Sequence, residues 1–389
     1  MTDKTDIVAT QPAKGAPKST GRRKFLTGAA TAAGAGVATV AMPQISRAQT
    51  TTLTMQTSWP VSDIFQEMAQ QYADRVNEMS GGRLQIDVQP AGAIVAAFQV
   101  QDACHDGVLD AAHTVSAYWY GKNKAASLFG TGPVFGIDGA QLIAWFQYGG
   151  GQALYNELVQ DQLALDVVGF YSFAMPTQPF GWFAEEPTSI EDVQGLKYRT
   201  VGLSADLNQA LGLAVTQLPG GEIVPAMERG VIDAFEYNNP TSDRRFGAQD
   251  VVKNYMLGSY HQACESFELI FNRERFESLA PELQAILRYA GEAANTANYG
   301  LAMDNYSKDL QALINEAGVN VKRTPQSIME AQLAAWDEVV APLMEGDDLF
   351  RRIIESQKEW AERVGFYSLM NSADYKAAYE HYFPGKLTF

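Results

Sequence analysis

One connector occurs twice in this chain. Pro90-Ala91-Gly92-Ala93-Ile94-Val95 is echoed by Pro219-Gly220-Gly221-Glu222-Ile223-Val224, and Gly107-Val108-Leu109-Asp110-Ala111 is echoed by Gly230-Val231-Ile232-Asp233-Ala234. Each copy reads as strand, Pro-x-Gly turn, helix, glycine, strand, which is the rhythm of an α/β fold. From the proline to the glycine that closes the helix, the first copy spans 17 residues and the second 11. At about 3.6 residues per turn, the first helix should be about two turns longer. Chance similarity between common α/β connectors is one account of the echo; two lobes of similar build facing each other is the other. If the lobes are real, the strand ends that follow are equivalent, and open α/β sheets bind ligands at the carboxyl ends of their strands. The cleft candidates are then His113, Thr114, Ser116, Tyr118, Trp119 and Tyr120 on one side and Glu236, Tyr237, Asn238 and Asn239 on the other.

The flanking pattern agrees with α/β. A strand over Leu53–Met55 precedes a turn at Trp59-Pro60. Ile64, Phe65, Met68, Tyr72, Val76 and Met79 then recur at helical spacing, until Ser80-Gly81-Gly82 stops the helix. Leu84, Ile86 and Val88 alternate as a half-buried strand. From Pro281 to about Val319 there is almost no helix breaker, so one long helix is expected to run across both lobes, followed by helices over about 327–344 and 347–364. The expected architecture is two similar lobes around a ligand cleft, of periplasmic binding protein type, with a helical C-terminal part. Residues 49–172 belong mainly to the first lobe and 173–265 mainly to the second. Residues 266–389 supply return strands, the spanning helix and C-terminal helices shared between the lobes.

The first 48 residues read as an export signal. Gly21-Arg22-Arg23-Lys24-Phe25-Leu26 is a twin-arginine sequence, a weakly apolar run follows from Thr27 to Ala41, and Ser46-Arg47-Ala48 is a small-residue cleavage site. That apolar run falls short of the roughly 20 residues a membrane span needs. Cleavage would place the mature chain, from Gln49, in the periplasm. Seven Lys/Arg and two acids lie in residues 1–48, so the net charge of −16 becomes −21 for the remainder. Such a charge argues against nucleic acid or an anionic membrane as partner. Cys104 and Cys264 are too few for a disulfide scaffold; one bridge between them is an alternative, but neither sits in a recognisable pairing context and they read as two separate buried thiols. The four histidines show no metal-ligand spacing.

Two residues carry most of the candidate chemistry. Arg199 sits on a short strand after a Gly-containing turn. A guanidinium grips a carboxylate through two parallel bonds, each worth about 1.5–3 kcal/mol. A surface arginine is the plainer reading. Glu236 ends an otherwise apolar strand, with Val231, Ile232, Ala234 and Phe235 before it. A carboxylate there must be paired if buried. A simple salt bridge to Arg199 satisfies that, but an anionic ligand would leave one negative charge in a closed cleft. A bound cation would restore the balance, and calcium or sodium suits carboxylate, carbonyl and amide oxygens. Aromatics at loops and strand ends, including Trp59, Tyr118, Trp119, Tyr120 and Trp182, are either core packing or cleft walls.

The run Leu196-Lys197-Tyr198-Arg199-Thr200, then Leu218-Pro219-Gly220-Gly221-Glu222-Ile223, then Glu228-Arg229-Gly230-Val231-Ile232-Asp233-Ala234-Phe235-Glu236 resembles the signature region of TRAP-transporter (tripartite ATP-independent periplasmic) solute receptors. The opening Met55-Gln56-Thr57-Ser58-Trp59-Pro60 and Gly181-Trp182-Phe183 resemble the branch that binds 2-oxo and 2-hydroxy monocarboxylates together with a metal ion. The resemblance covers the whole chain beyond residue 48. It implies a receptor for a small organic acid anion that works with small and large TRAP membrane subunits, and a homodimer formed through the C-terminal helices. It implies that Arg199 binds the ligand carboxylate. The side-chain oxygen of Gln178, the carboxylate of Glu236 and the main-chain carbonyl of Tyr237 would surround calcium or sodium. Tyr118 would touch the ligand, with Trp59 and Phe183 as walls. Where those proteins tend to carry Trp after the glutamate, this chain has Tyr237, which alters the pocket wall. An exported enzyme is the alternative, but there is no nucleotide-binding glycine fingerprint, no Cys-x-x-Cys and no Gly-x-Ser-x-Gly turn. A carboxylate receptor serving another transporter or a sensor is a further alternative. On this reading Arg199→Lys should lose ligand affinity and leave the melting temperature nearly intact.

Overall fold

The structure, a computed structural model, describes residues 50–387. The twin-arginine segment lies outside the described residues. In chain order the strands are β1 (Thr51–Thr57), β2 (Leu84–Gln89), β3 (Ala111–Val115), β4 (Val167–Met175), β5 (Gly181–Phe183), β6 (Lys197–Arg199), β7 (Ala214–Thr216), β8 (Ala234–Phe235), β9 (Asn254–Leu257), β10 (Glu265–Asn272) and β11 (Asn320–Arg323). They form two sheets, ordered β2-β1-β3-β10-β4 and β11-β9-β5-β8-β6-β7.

Reading the second sheet backwards shows the repeat. In the first sheet β1 lies parallel to β2 and to β3, β10 is antiparallel to β3, and β4 is antiparallel to β10. In the second, β6 lies parallel to β7 and to β8, β5 is antiparallel to β8, and β9 is antiparallel to β5. The fourth strand of each sheet comes from the other half of the chain: β5 follows β4, and β10 follows β9. The two sheets therefore exchange one strand each.

The echo holds, but its expected length difference falls elsewhere. The helices of the two connectors, Val100–His105 and Ile223–Glu228, are both six residues long. The extra residues of the first copy form a loop after Pro90, wrapped round Gln56. That side chain donates to the Val95 carbonyl and accepts from the amides of Ile94 and Val95. A buried amide saturated by one loop replaces the two helical turns that spacing alone suggested.

Other boundaries moved for physical reasons. The first strand starts at Thr51 and runs to Thr57, because β2 pairs with it along its length. Helix Ile64–Met79 is capped by Asp63, whose side chain accepts from Phe65 N. Ile64, Phe65, Met68, Tyr72 and Val76 are buried as the spacing requires, while Met79 in the last turn is 48% exposed. Glycines 81 and 82 both take positive φ, which ends that helix. Val231, expected inside the strand before Glu236, is 49% exposed, and β8 holds only Ala234 and Phe235. The long helix is Pro281–Asn315 and packs on β4 and helix Ile64–Met79 of the first sheet and on helix Pro240–Phe246 beside the second. Tyr72 Oη donates to the Leu287 carbonyl near one end, and Arg244 pairs with Asp309 near the other. Helices Gln326–Gly346 and Asp348–Asn371 follow, then a short helix, Tyr375–Tyr382, with no buried residue. Cys104 and Cys264 are buried and unbridged.

Glu268, inside β10, is fully buried with only neutral partners, Tyr155 Oη and Trp119 Nε1, both donating to it. This also accounts for Trp119, which is in the core rather than the cleft. Burial pushes the Glu268 carboxyl up to about 7. Between the ordinary carboxyl range and that value, the folded chain holds a proton that the unfolded chain releases, so stability falls as pH rises through this window. We expect the melting temperature to decline from about pH 5 to about pH 8, and to decline less steeply in Glu268→Gln. Identical slopes in thermal melts of the two proteins would remove Glu268 as a source.

Candidate functional site

The two exchanged segments pass side by side between the sheets. Thr177 Oγ1 donates to the Ala263 carbonyl at 3.0 Å, and Gln178 N to the Gln262 carbonyl at 3.1 Å. Gln178, just past β4, and Glu265, the first residue of β10, thereby come together. The Gln178 amide nitrogen donates to Glu265 Oε2 at 2.6 Å and to Asn238 Oδ1 at 3.2 Å.

Arg199 closes β6, between β7 and β8, and is 1% exposed. Its Nε donates to the Leu218 carbonyl at 2.8 Å. Nη1 donates to the Glu236 carbonyl at 2.8 Å and to Glu236 Oε1 at 2.9 Å. Nη2 has no hydrogen bond among the described residues, so one edge of the fork is not used by the fold. Burying a guanidinium is tolerable only with such partners. The first sheet uses the matched position differently. Arg199 pairs with Phe235 as Gln56 pairs with Ala112, and Gln56 there only secures its loop.

Glu236 is fully buried, with Oε2 lacking any hydrogen bond. Burial pushes its carboxyl up to about 7, against the opposing pull of Arg199. Glu265 has risen to about 8, chiefly through burial, with the Glu236 charge adding to it. The buried oxygens Gln178 Oε1, Glu236 Oε2 and Glu265 Oε1 all lack hydrogen-bond partners. An array of bare acceptors is unfavourable until something positive meets it, and hard cations take oxygen ligands of this kind. No group of three or more His, Cys, Asp or Glu side chains is placed to hold a metal among the described residues; the acceptors here are two carboxylates and an amide. They fit calcium or sodium and do not fit a soft metal.

The walls come from both sheets. Tyr237 Oη donates to Asp63 Oδ2 at 2.7 Å and Ser242 Oγ to Asp63 Oδ1 at 2.9 Å, tying the start of helix Ile64–Met79 to the segment after β8. The Tyr237 ring stands 5.6 Å from the Arg199 guanidinium. It leaves no room for a side chain at Gly220, where an added Cβ would lie 2.4 Å from the ring. That is the physical content of the Pro219-Gly220 motif. Tyr118 packs on Phe98 and Trp59, within electrostatic reach of Arg199, Glu265 and Glu236. Trp59 Nε1 donates to His113 Nδ1 at 2.7 Å, and burial pushes that imidazole down to about 3, so it stays neutral.

Several expected residues face elsewhere. Phe183 packs against Phe180 and Tyr198 with ring centroids 5.1 and 6.1 Å apart, in the core and not as a wall. Trp182 donates to Asp243 and stacks on Tyr255. Tyr120 donates to Asp206. Asn239 caps helix Pro240–Phe246, accepting from Thr241 N and Ser242 N. Asp63 and Glu265 were missed by sequence reasoning. Asp63 carried only a helix-cap signal, and Glu265 sits in an apolar strand far from the signature region.

The model of bacterial extracellular solute-binding protein family 7, DctP, matches residues 55–347. The chain belongs to this family of TRAP solute receptors. A monocarboxylate 2-oxoacid-binding periplasmic protein of Nostoc sp. is 30% identical over 357 residues, 88% of this chain and 96% of the relative. A TRAP transporter solute-binding protein of Bordetella bronchiseptica, a mixed-occupancy dimer with copurified calcium and picolinate, is similar at 27% identity and TM-score 0.79, covering 86% of this chain and 97% of that one. One from Pseudoalteromonas atlantica with bound sodium and pyruvate is 30% identical with TM-score 0.78, covering 86% and 99%.

The geometry changes the expectation for Arg199→Lys. One ammonium cannot hold both Leu218 and Glu236 while presenting a fork. The variant should therefore lose stability as well as ligand affinity, with a melting temperature several degrees lower. An unchanged melting curve would show that the Leu218 and Glu236 bonds contribute nothing net.

Proposed function

We propose that the chain is a TRAP receptor that binds a small 2-oxo or 2-hydroxy monocarboxylate, such as pyruvate or lactate or a larger or aromatic acid, together with calcium or sodium. The observation that carries this reading is a buried Arg199 with a free Nη2 beside three buried oxygens that lack partners. Arg199 holds the ligand carboxylate, and Tyr118 orients it. Gln178, Glu236 and the main-chain carbonyl of Tyr237 hold the cation, which supplies positive charge to an otherwise over-acidic pocket. Trp59 stands behind Tyr118. The pyruvate and picolinate carried by the structural relatives, and the 2-oxoacid specificity in the name of the Nostoc relative, support the ligand class.

No chemistry is performed on the ligand. The segments on either side of the crossover act as two lobes that close on it, and the closed form is what the membrane subunits recognise. Export by the twin-arginine route brings the folded receptor to the periplasm. Among the described residues no helix is long and apolar enough to cross a membrane. Phe366, Tyr367, Leu369, Met370, Tyr375 and Tyr382 are each at least 68% exposed on the last two helices, an apolar surface that suits a second copy.

Calorimetry with pyruvate, lactate and aromatic 2-oxo acids, with and without chelator, tests the ligand and the ion. Binding should be micromolar or tighter, about 8 kcal/mol, and should weaken when the cation is removed. Absence of monocarboxylate binding to the cation-loaded protein would refute the reading. Light scattering should give twice the monomer mass, and a monomer would rule out the dimer.

A further inference from the structure

Two aspartates occupy matched places in the internal repeat, and each reaches across to the opposite sheet. Gln56 pairs with Ala112 as Arg199 pairs with Phe235. Asp63 lies seven residues beyond Gln56, and Asp206 seven residues beyond Arg199. Asp63 caps helix Ile64–Met79, and Asp206 is in the first turn of helix Ser204–Ala210.

The partners correspond as well. Asp63 Oδ2 accepts from the Tyr237 hydroxyl at 2.7 Å, and its Oδ1 accepts from Ser242 Oγ at 2.9 Å. Asp206 Oδ2 accepts from the Tyr120 hydroxyl at 2.8 Å, and its Oδ1 accepts from Lys124 Nζ at 2.9 Å. Tyr237 follows β8 and Tyr120 follows β3, the strands that match in the two sheets. Each sheet therefore offers one carboxylate to a tyrosine and a second donor of the other. Further bonds cross at the same places. Arg245 donates to the Ser62 carbonyl at 3.3 Å beside the first aspartate, and Leu203 N donates to Ser127 Oγ at 3.2 Å beside the second.

The two contacts lie on different flanks of the site. Helices Ile64–Met79 and Pro240–Phe246 both pack on the long helix, whereas Ser204–Ala210 packs on Gln326–Gly346. A single contact would leave a pivot about which the sheets could turn; two resist it. Hydrogen bonds to an ionised carboxylate are strong but short-ranged, so a small separation of the sheets breaks them. They favour the arrangement in which the sheets stand together and add nothing within either sheet.

Building on the receptor reading above, we propose that Asp63 and Asp206 are reciprocal clasps that hold the two lobes together around the site and set how slowly a bound solute leaves.

The test uses the intact mature protein with Tyr120→Phe, Tyr237→Phe and both together. These changes remove hydroxyls while keeping the rings and the helix cap of Asp63. Release of pyruvate from calcium-loaded protein, followed by stopped flow, should be about 3–10-fold faster in each single variant. The double variant should show about the product of the two effects. Spin labels at Val108→Cys and Val231→Cys, exposed positions three residues before β3 and β8, report how the sheets stand to each other. With both hydroxyls removed, the label distances should gain a second population relative to the labelled protein with both tyrosines. Unchanged label distances in the double variant would overturn the proposal. So would unchanged release with a lower melting temperature, which would mark the bonds as serving the fold alone. Failure of the unsubstituted protein to bind pyruvate would instead count against the receptor reading, and the label distances would still decide whether the clasps hold the sheets.

Discussion

The arrangement depends on two crossing segments that hydrogen-bond to each other. One runs from β4 to β5, the other from β9 to β10, and the bonds Thr177 to Ala263 and Gln178 to Gln262 keep them adjacent. Each sheet borrows its fourth strand through one of these segments, so neither sheet is complete without the other half of the chain. The same crossing brings Gln178 and Glu265 together and sets them close to Glu236, which arrives on a strand of the second sheet. The candidate site and the covalent stitching of the fold are therefore in one place. Side chains carried on these crossing segments are the ones positioned to sense how the two sheets stand to each other.

The pocket is electrostatically incomplete by construction. A buried guanidinium is satisfied on two nitrogens by Leu218 and Glu236, and its third nitrogen is left without a bond. Opposite it stand carboxylate and amide oxygens with no donors. In a rigid core such orphan groups would be a defect. On the reading proposed above they would be matched by the solute and its ion, so that binding would settle a charge imbalance that folding created. Asp63 shows the contrast. It is just as buried, yet every oxygen is taken by Phe65 N, Tyr237 Oη and Ser242 Oγ, and it serves to join the walls of the site.

Much of this was legible before any coordinates. The doubled connector announced two similar sheets, and the register bears it out: β2-β1-β3 and β7-β6-β8 match strand for strand. Helical periodicity located Ile64–Met79 and the long helix to within a few residues. The Arg199 and Glu236 pairing could be suspected from an isolated charge on each of two short apolar strands. The errors share one cause: local pattern cannot distinguish residues that pack from residues that face a cleft. Phe183 belongs to the core because β5 is buried on both faces between β8 and β9. The six additional residues after Pro90 became a loop because the buried Gln56 amide offered three hydrogen bonds at once.

By itself the sequence determined the element types, the repeat and the signature that marks the family, because these depend on short-range spacing and on residue chemistry read in order. Only the tertiary structure decided which strand each sheet would borrow and which acids would meet. Glu265 illustrates the difference. It lies 29 residues beyond Glu236 in the chain, and nothing in its local apolar context distinguishes it from a strand residue. It becomes part of the site because β10 must cross back to fill the gap between β3 and β4, and that long-range pairing sets its carboxylate beside Gln178.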